Sequence, residues 1–327
     1  MLNKNITKIL AFVTIICGFC LILTNCSNSG LSNLVNSVTK KKTDFDASDN
    51  YTDPKVMGNI KSDEIAEGSG LVASRCNQDV FWTHNDSGDK ALIFAINLKG
   101  DKLATYAVKG AKSVDWEDIA TMKTSSGECF LYIGDFGNNS MARGDLTIYR
   151  VKEPKVSQST NSSKASPLET DTAEAIQYQY PDSRRNAETL MVHPVTGDIY
   201  IFSKQPNTPS IIYKLSMKDG KPPVSGGMNS VEKIGEYAVP AVPNGQMTGG
   251  DISPDGRHAV ICDYLAGYEI ELPKDDKNFD DIWKQKPTKI NLGDRQQGEA
   301  ICYGLDGNTI YATSEKKNSP IIEVKRK

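Results

Sequence analysis

Asp115-Trp116-Glu117-Asp118-Ile119-Ala120 is echoed four more times along the chain. The echoes are Glu67-Gly68-Ser69-Gly70-Leu71-Val72, Asn186-Ala187-Glu188-Thr189-Leu190-Met191, Thr248-Gly249-Gly250-Asp251-Ile252-Ser253 and Gln297-Gly298-Glu299-Ala300-Ile301-Cys302. Aligned on their aliphatic residue, all five read polar, any, small or Glu, any, Leu or Ile. The aligned positions Leu71, Ile119, Leu190, Ile252 and Ile301 are separated by 48, 71, 62 and 49 residues. Self-similarity at such a period marks a repeat architecture, in which each copy buries its apolar face against its neighbours.

Each copy continues in the same way. A tight turn and a second strand follow the echo, as in Ser253-Pro254-Asp255-Gly256-Arg257 before His258-Ala259-Val260-Ile261, or Leu305-Asp306-Gly307-Asn308 before Thr309-Ile310-Tyr311-Ala312. Pro fixes φ and Gly supplies the positive φ that such turns require. Third strands rich in β-branched and aromatic residues come next, at 92–96, 146–151, 211–215, 268–272 and 321–324. Fourth strands fit 102–108, 175–180, 233–239 and 288–292. The last copy runs out of chain after its third strand, so segment 55–60 is expected to complete it and close a ring. The 71-residue interval holds the low-complexity run 157–166, read as a surface loop. These segments are too short for useful amphipathic helices, and a β-sandwich would not repeat one four-strand unit. The expected fold is an all-β propeller of five blades, with six the alternative if one interval holds two.

Antiparallel pairing sets the start of each innermost strand beside the end of the next strand. The inner strands open with Glu67 and Ser69, Asp115 and Glu117, Asn186 and Glu188, Thr248 and Gly250, and Gln297 and Glu299, each pair facing one way by the two-residue period. The second strands end in His84-Asn85-Asp86, Gly134-Asp135, Ser203-Lys204, Cys262-Asp263 and Ser314-Glu315. Both sets converge on one mouth of the central channel. His84, Asn85, Asp86, Asp135, Lys204, Asp263 and Glu315 are therefore the expected ligand-binding residues, and Glu67, Asp115, Glu117, Glu188 and Glu299 the expected metal ligands. Crowded carboxylates must take up a proton, a basic partner or a cation, and hard oxygen ligands suit Ca2+ or Mg2+ better than Zn2+.

A structural reading competes for the same residues. Glu117, Glu188 and Glu299 could accept backbone N–H groups from the neighbouring blade and lock the ring, while Asn85-Asp86-Ser87-Gly88 could be an Asx-type turn. Trp82 and Trp116 read as packing between blades, and His193 and His258, beside hairpin turns, as surface residues. The chain has no Walker-type loop, no Gly-x-Ser-x-Gly elbow and no His-Glu-x-x-His helix. A Ser69–His84–Asp86 triad would need a geometry that nearness in sequence does not supply.

Lys4 and Lys8 precede an apolar run from Ile9 to Leu23, the order of a secretory signal and short for a membrane span. Leu23-Thr24-Asn25-Cys26 resembles the lipobox of bacterial lipoproteins, with Asn25 where the family pattern has Gly, Ala or Ser. The resemblance implies a lipid on Cys26 and anchorage to the membrane on the extracytoplasmic face of a bacterial cell envelope. Residues 1–25 are thus read as the signal, 26–53 as a flexible tether and 54–327 as the propeller. A formal net charge of −3 with scattered basic residues gives no reason to expect nucleic acid. In an exported chain the remaining Cys76, Cys129, Cys262 and Cys302 permit the disulfides 76–129 and 262–302, four buried thiols being the alternative.

Ser69-Gly70-Leu71, Trp82-Thr83-His84-Asn85-Asp86-Ser87-Gly88-Asp89, Val114-Asp115-Trp116-Glu117-Asp118-Ile119, Gly134-Asp135 and Gln297-Gly298-Glu299-Ala300 together resemble exported bacterial propeller proteins. More distantly the chain is similar to phytase-like and esterase-like propellers, and its Ser-Pro-Asp-Gly-Arg hairpin resembles those of Tol-type and WD-type propellers. The likeness spans 63–327 and speaks to fold more than activity. The expectation is a lipid-anchored propeller that binds a small molecule or a protein at an acidic channel mouth through a divalent cation such as Ca2+. The alternative that the resemblance implies is a Ca2+-dependent phosphoesterase or esterase.

Overall fold

Short apolar runs separated by Gly- and Pro-marked turns pair first with their nearest neighbours, and in this chain they pair into five separate sheets. The computed structural model describes residues 48–327 apart from 158–160, 207, 219–220, 223, 225 and 240–245. The expected signal, Cys26 and most of the expected tether lie outside the described residues. Blade 1 runs outward through Gly68–Ala73, Phe81–Asn85, Leu92–Ile96 and Lys102–Ala107. Blade 2 follows with Trp116–Lys123, Cys129–Asp135, Thr147–Lys152 and Glu174–Gln179, and blade 3 with Ala187–Val192, Ile199–Ser203, Ser210–Leu215 and Glu232–Tyr237. Blade 4 comprises Gly249–Ile252, His258–Cys262, Gly267–Glu271 and Thr288–Ile290. Blade 5 takes Gly298–Tyr303, Thr309–Ser314 and Pro320–Lys325 from the end of the chain and Lys55–Asn59 from its beginning. The fold is a β-propeller of five blades closed by strands from both ends of the domain, and no sixth sheet is left over among the described residues.

Closure is reinforced by a buried polar cluster. The Tyr51 hydroxyl donates to Glu269 on blade 4, which also accepts the Tyr303 hydroxyl at 2.7 Å and Arg326 Nε at 3.1 Å. Thr52 N–H donates to the Lys325 carbonyl at 2.9 Å. Residues 48–52, assigned to the tether on composition, are therefore docked on the domain, which begins before residue 54.

Two insertions act as straps. The run after 157 is not a plain surface loop: Ser162 Oγ accepts Thr105 N–H at 2.8 Å, and Leu168–Glu169 add a parallel strand to the edge of blade 1. Met228–Ser230 likewise reach back to pair in parallel with the edge of blade 2. Each insertion lies between the third and fourth strands of its own blade and covers the edge of the preceding one, which leaves less unpaired backbone for edge-to-edge association.

The aligned residues Leu71, Ile119, Leu190, Ile252 and Ile301 are all at most 2% exposed. Each contributes about 1.5–3 kcal/mol through burial. Trp82 and Trp116 pack between blades 1 and 2, as their positions suggested. A short 3-10 helix, Phe279–Lys284, is capped by Asn278 and lays Phe279 and Trp283 over Tyr200 and Phe202. It also covers His193, whose ring lies 4.7 Å from that of Phe279, so His193 is buried and not a surface residue. Cys76 and Cys129 form a disulfide that joins blades 1 and 2, whereas Cys262 and Cys302 are free, buried thiols.

The ring is locked by aspartates, not by the glutamates beside them. Asp118 Oδ1 accepts Ile119 N–H at 2.8 Å, and Oδ2 accepts Leu190 N–H from blade 3 at 2.9 Å. Asp251 repeats the arrangement, accepting Ile252 N–H at 2.8 Å and Tyr303 N–H from blade 5 at 2.9 Å. Ser69 Oγ and Thr248 Oγ1 add matching bonds to the carbonyls of Glu117 and Gly298 in the next blade, at 2.5 and 2.8 Å. A register slip sets the glutamates apart. Inner-strand pairing jumps between Trp116 and Asp118, between Ala187 and Thr189, and between Gly298 and Ala300, so Glu117, Glu188 and Glu299 occupy bulges.

Candidate functional site

One hydrogen bond recurs at the end of the ring where inner strands begin. The N–H of Asp86, Lys204 and Glu315 donates at 2.9 Å to the carbonyl of Glu67, Asn186 and Gln297, respectively, each at the start of its inner strand. In blade 2 the partner of the Asp115 carbonyl is Gly137 N–H, at 3.1 Å. This bond brings the ends of the second strands to the mouth, and the bulges turn the three glutamates toward it. Asp86, Asp115, Glu117, Glu188, Glu299 and Glu315 then share one electrostatic neighbourhood, in which Lys204 faces Glu117, Glu188 and Glu299 and Lys316 pairs with Glu315 at 3.1 Å.

The two sides of this cluster differ. On the blade 3 side Lys204 pairs with Glu188 and lies 4.9 Å from the centre of the Tyr264 ring, a cation–π contact. Burial pulls the ammonium down, but Glu188 and Glu299 hold it well above its ordinary value. Burial raises Glu188 as well, with Lys204 opposing. Glu299 is pushed up to about 8 by burial and by Glu188, while its Oε1 accepts Gln297 Nε2 at 2.7 Å.

On the side of blades 1 and 2 Asp86, Asp115 and Glu117 make no ion pair among the described residues, and Lys204 and Arg143 act on Glu117 and Asp115 through charge alone. Asp86, Asp115 and Glu117 each bring a carboxylate oxygen within 4.8 Å of the other two. Burial, with the charges of Asp115, Glu188 and Glu315, raises Asp86 to about 7. Asp115 is raised by burial and by Asp135, with Arg143 opposing. Glu117 is raised well above its ordinary value, by burial first and then by Glu188, Asp86 and Asp115, with Lys204 opposing. It is 4% exposed, and no hydrogen bond reaches its carboxylate among the described residues. Gly137 makes the room: a Cβ there would come within 2.1 Å of Glu117 Oε1 and 2.4 Å of the Asp115 carboxyl carbon.

Several expected site residues are used otherwise. Glu67 is exposed at the head of its strand and is not in the three-carboxylate group. Its strand slips between Gly68 and Leu71 and presents small residues where blades 2, 3 and 5 present Glu. His84 is completely buried against Trp116, its Nδ1 2.9 Å from the Asn85 carbonyl, and burial holds its pKa down to about 4. Asn85 Oδ1 accepts Ala66 and Glu67 N–H, both at 3.1 Å, while its amide donates to the Glu64 carbonyl and to Asp89, so it shapes the turn. Asp263 accepts Leu265 and Ala266 N–H at 2.8 Å and the Tyr268 hydroxyl at 3.1 Å, which consumes both oxygens locally. Asp135 accepts Asp115 N–H at 3.0 Å and is paired with Arg143 at 2.9 Å. Ser69 and His84 make the unrelated bonds described above, and no triad forms with Asp86. Arg143, Gly137 and Tyr264 escaped the sequence reading because they lie on loops, outside the aligned positions; only their nearness to Asp135 and Asp263 marked them.

No protein-family model and no curated protein sequence matches the chain. Among solved structures it is similar to a chain of the crystal structure of a nidogen/laminin complex, with a TM-score of 0.40 and 14% identity over 76% of this chain and 72% of that one.

Proposed function

We propose that this propeller is a binding domain that takes a divalent cation at Asp86, Asp115 and Glu117 and, through it, a ligand or partner at the channel mouth. The observation that carries the reading is the buried Glu117 carboxylate, without a hydrogen bond among the described residues, facing two further carboxylates across a space that Gly137 keeps clear. Oxygens about 2.3–2.6 Å from one Ca2+ lie roughly 3–5 Å apart, which matches this spacing; the tighter shell of Mg2+ would require the three to close in. The remaining coordination positions would face the mouth, and Asp115 and Asp86 are only partly buried there. A lipid on Cys26 and attachment to the outer side of a bacterial membrane belong to the same proposal and rest on the lipobox resemblance.

Calorimetric titration of Ca2+ and Mg2+ into metal-free protein tests the site. One equivalent of Ca2+ should bind the wild type, and Glu117→Gln and Asp115→Asn should each weaken it at least tenfold. Equal heats from wild type and both variants would refute the assignment. The hydrolase alternative draws on Asp86, whose carboxyl titrates near neutrality beside the cation position. Ester or phosphoester turnover that vanishes in Asp86→Asn would favour it, and no turnover across both substrate classes would reject it. Intact mass of the mature chain checks the anchor, since an unmodified Cys26 thiol in the membrane fraction is incompatible with it.

A further inference from the structure

At the opposite end of blades 1 and 2 from the acidic mouth lies a second group of ligating atoms, of different chemistry. The sulfurs of Cys76 and Cys129 and a carboxylate oxygen of Glu153 lie within 4.8 Å of one another. Cys76 is exposed in the turn after Gly68–Ala73, Cys129 begins the second strand of blade 2, and Glu153 directly follows Thr147–Lys152, its N–H bonded to the Cys129 carbonyl at 2.9 Å. Glu153 is buried with no basic partner among the described residues. Its Oε1 is oriented by three donors: the Ser74 hydroxyl, Asn77 Nδ2 at 2.8 Å and Trp82 Nε1 at 2.9 Å. Its Oε2 is buried and takes no hydrogen bond among the described residues. A buried acceptor left without a partner is costly and points to a group that can fill it.

We propose that Cys76, Cys129 and Glu153 form a redox-gated zinc site, closed while the disulfide stands and competent for Zn2+ once a dithiol has reduced it. The dithiol transfers two electrons and two protons to the bridge, leaving two protein thiols and its own disulfide. Zn2+ then displaces both thiol protons to solvent and is held by two thiolates and one carboxylate. Tetrahedral zinc, with bonds of about 2.3 Å to sulfur and about 2.0–2.2 Å to oxygen, sets its ligand atoms roughly 3.5–3.8 Å apart. The carboxylate oxygen already lies within 4.8 Å of both sulfurs, and breaking the bridge frees the bonded sulfurs to move apart to that spacing. Exposed Cys76 gives both reductant and metal a way in and leaves the fourth position to water. The three donors on Oε1 fix the carboxylate as outer-shell bonds do in metal sites. Two thiolates favour zinc over Ca2+, so this site and the acidic mouth select different ions.

Cobalt reports the geometry. Full-length protein, reduced with a phosphine and kept anaerobic, should take up one equivalent of Co2+ with a thiolate-to-metal absorption band, while the oxidised protein should not. Cys262 and Cys302 are free in both states and cancel from the difference. Glu153→Gln should weaken cobalt binding at least tenfold with an unchanged near-ultraviolet circular dichroism spectrum. In reduced wild type, Zn2+ should also protect both Cys76 and Cys129 from alkylation, read by peptide mass. Absence of the band in reduced protein, equal affinity in the folded Gln variant, or no protection by Zn2+ would each overturn the proposal.

Discussion

Raising the pH from 6 to 8 should strengthen Ca2+ binding at the channel mouth, and the size of the effect follows from Asp86. Its carboxyl is lifted to about 7 by burial and by Asp115, Glu188 and Glu315, so at pH 6 it is mostly protonated and at pH 8 mostly ionised. Ca2+ binds the ionised form, so the ionised fraction scales the apparent affinity. For one group at about pH 7 that fraction rises from about 0.09 to about 0.9, a gain of roughly tenfold, and binding at pH 7 releases about half a proton. Asp115 and Glu117 are also raised, which steepens the dependence and does not reverse it. Calorimetric titration at pH 6, 7 and 8, in two buffers of different ionisation enthalpy, measures affinity and proton release together. Affinity constant within twofold across this range, with no proton release, would refute both the titration and the role of Asp86. Stability without metal carries the matching sign. The folded carboxyl keeps its proton to about 7 while an unfolded Asp loses it near 3.9, so the contribution of Asp86 to stability is fully present below about pH 4 and is lost as pH rises through 7. Excess Ca2+ at pH 8 should offset that loss, by about 2.7 kcal/mol at one hundred times Kd.

Four further outcomes follow from the geometry. Gly137→Ala would drive a methyl into the Asp115 and Glu117 carboxylates and should cost at least tenfold in Ca2+ affinity, with the fold intact by circular dichroism. Asp118→Ala and Asp251→Ala each leave two inner-strand N–H groups without their acceptor, and denaturant unfolding should show a loss of about 2–5 kcal/mol apiece. Tyr51→Phe removes one buried hydrogen bond to Glu269 and should lower stability by about 1 kcal/mol. Deleting 1–60 removes the closing strand as well, and should broaden or split the thermal transition instead of merely shifting it.

The period was legible because its signals are local: an aliphatic residue that must be buried, a turn that needs Gly or Pro, and a strand of β-branched residues on either side. Ring closure was legible for the same reason, since the last copy visibly lacked a strand that 55–60 could supply. Side-chain direction was not, because it depends on pairing register. A strict two-residue alternation places Asp118 on the face away from Glu117, yet both are used, Glu117 at the mouth and Asp118 between blades, because the strand bulges between Trp116 and Asp118. Equivalence along the repeat does not carry to Glu67, whose blade slips by a different step and whose exposed side chain is outside the three-carboxylate group. Asp86 carries two readings in the sequence, a ligand-binding residue and part of an Asx-type turn; its N–H makes the recurring hairpin bond, and its carboxyl is one of three within 4.8 Å of one another. The conserved geometry of the blades thus supplies a ring of equivalent positions, and chemistry enters where one blade departs from the others. Blade 2 departs twice, by using Gly137 for the bond made elsewhere by Asp86, Lys204 and Glu315, and by holding Asp135 aside with Arg143. Those two departures are what leave Asp115 and Glu117 open toward Asp86, so the cation position falls between blades 1 and 2 and not at the centre of the ring.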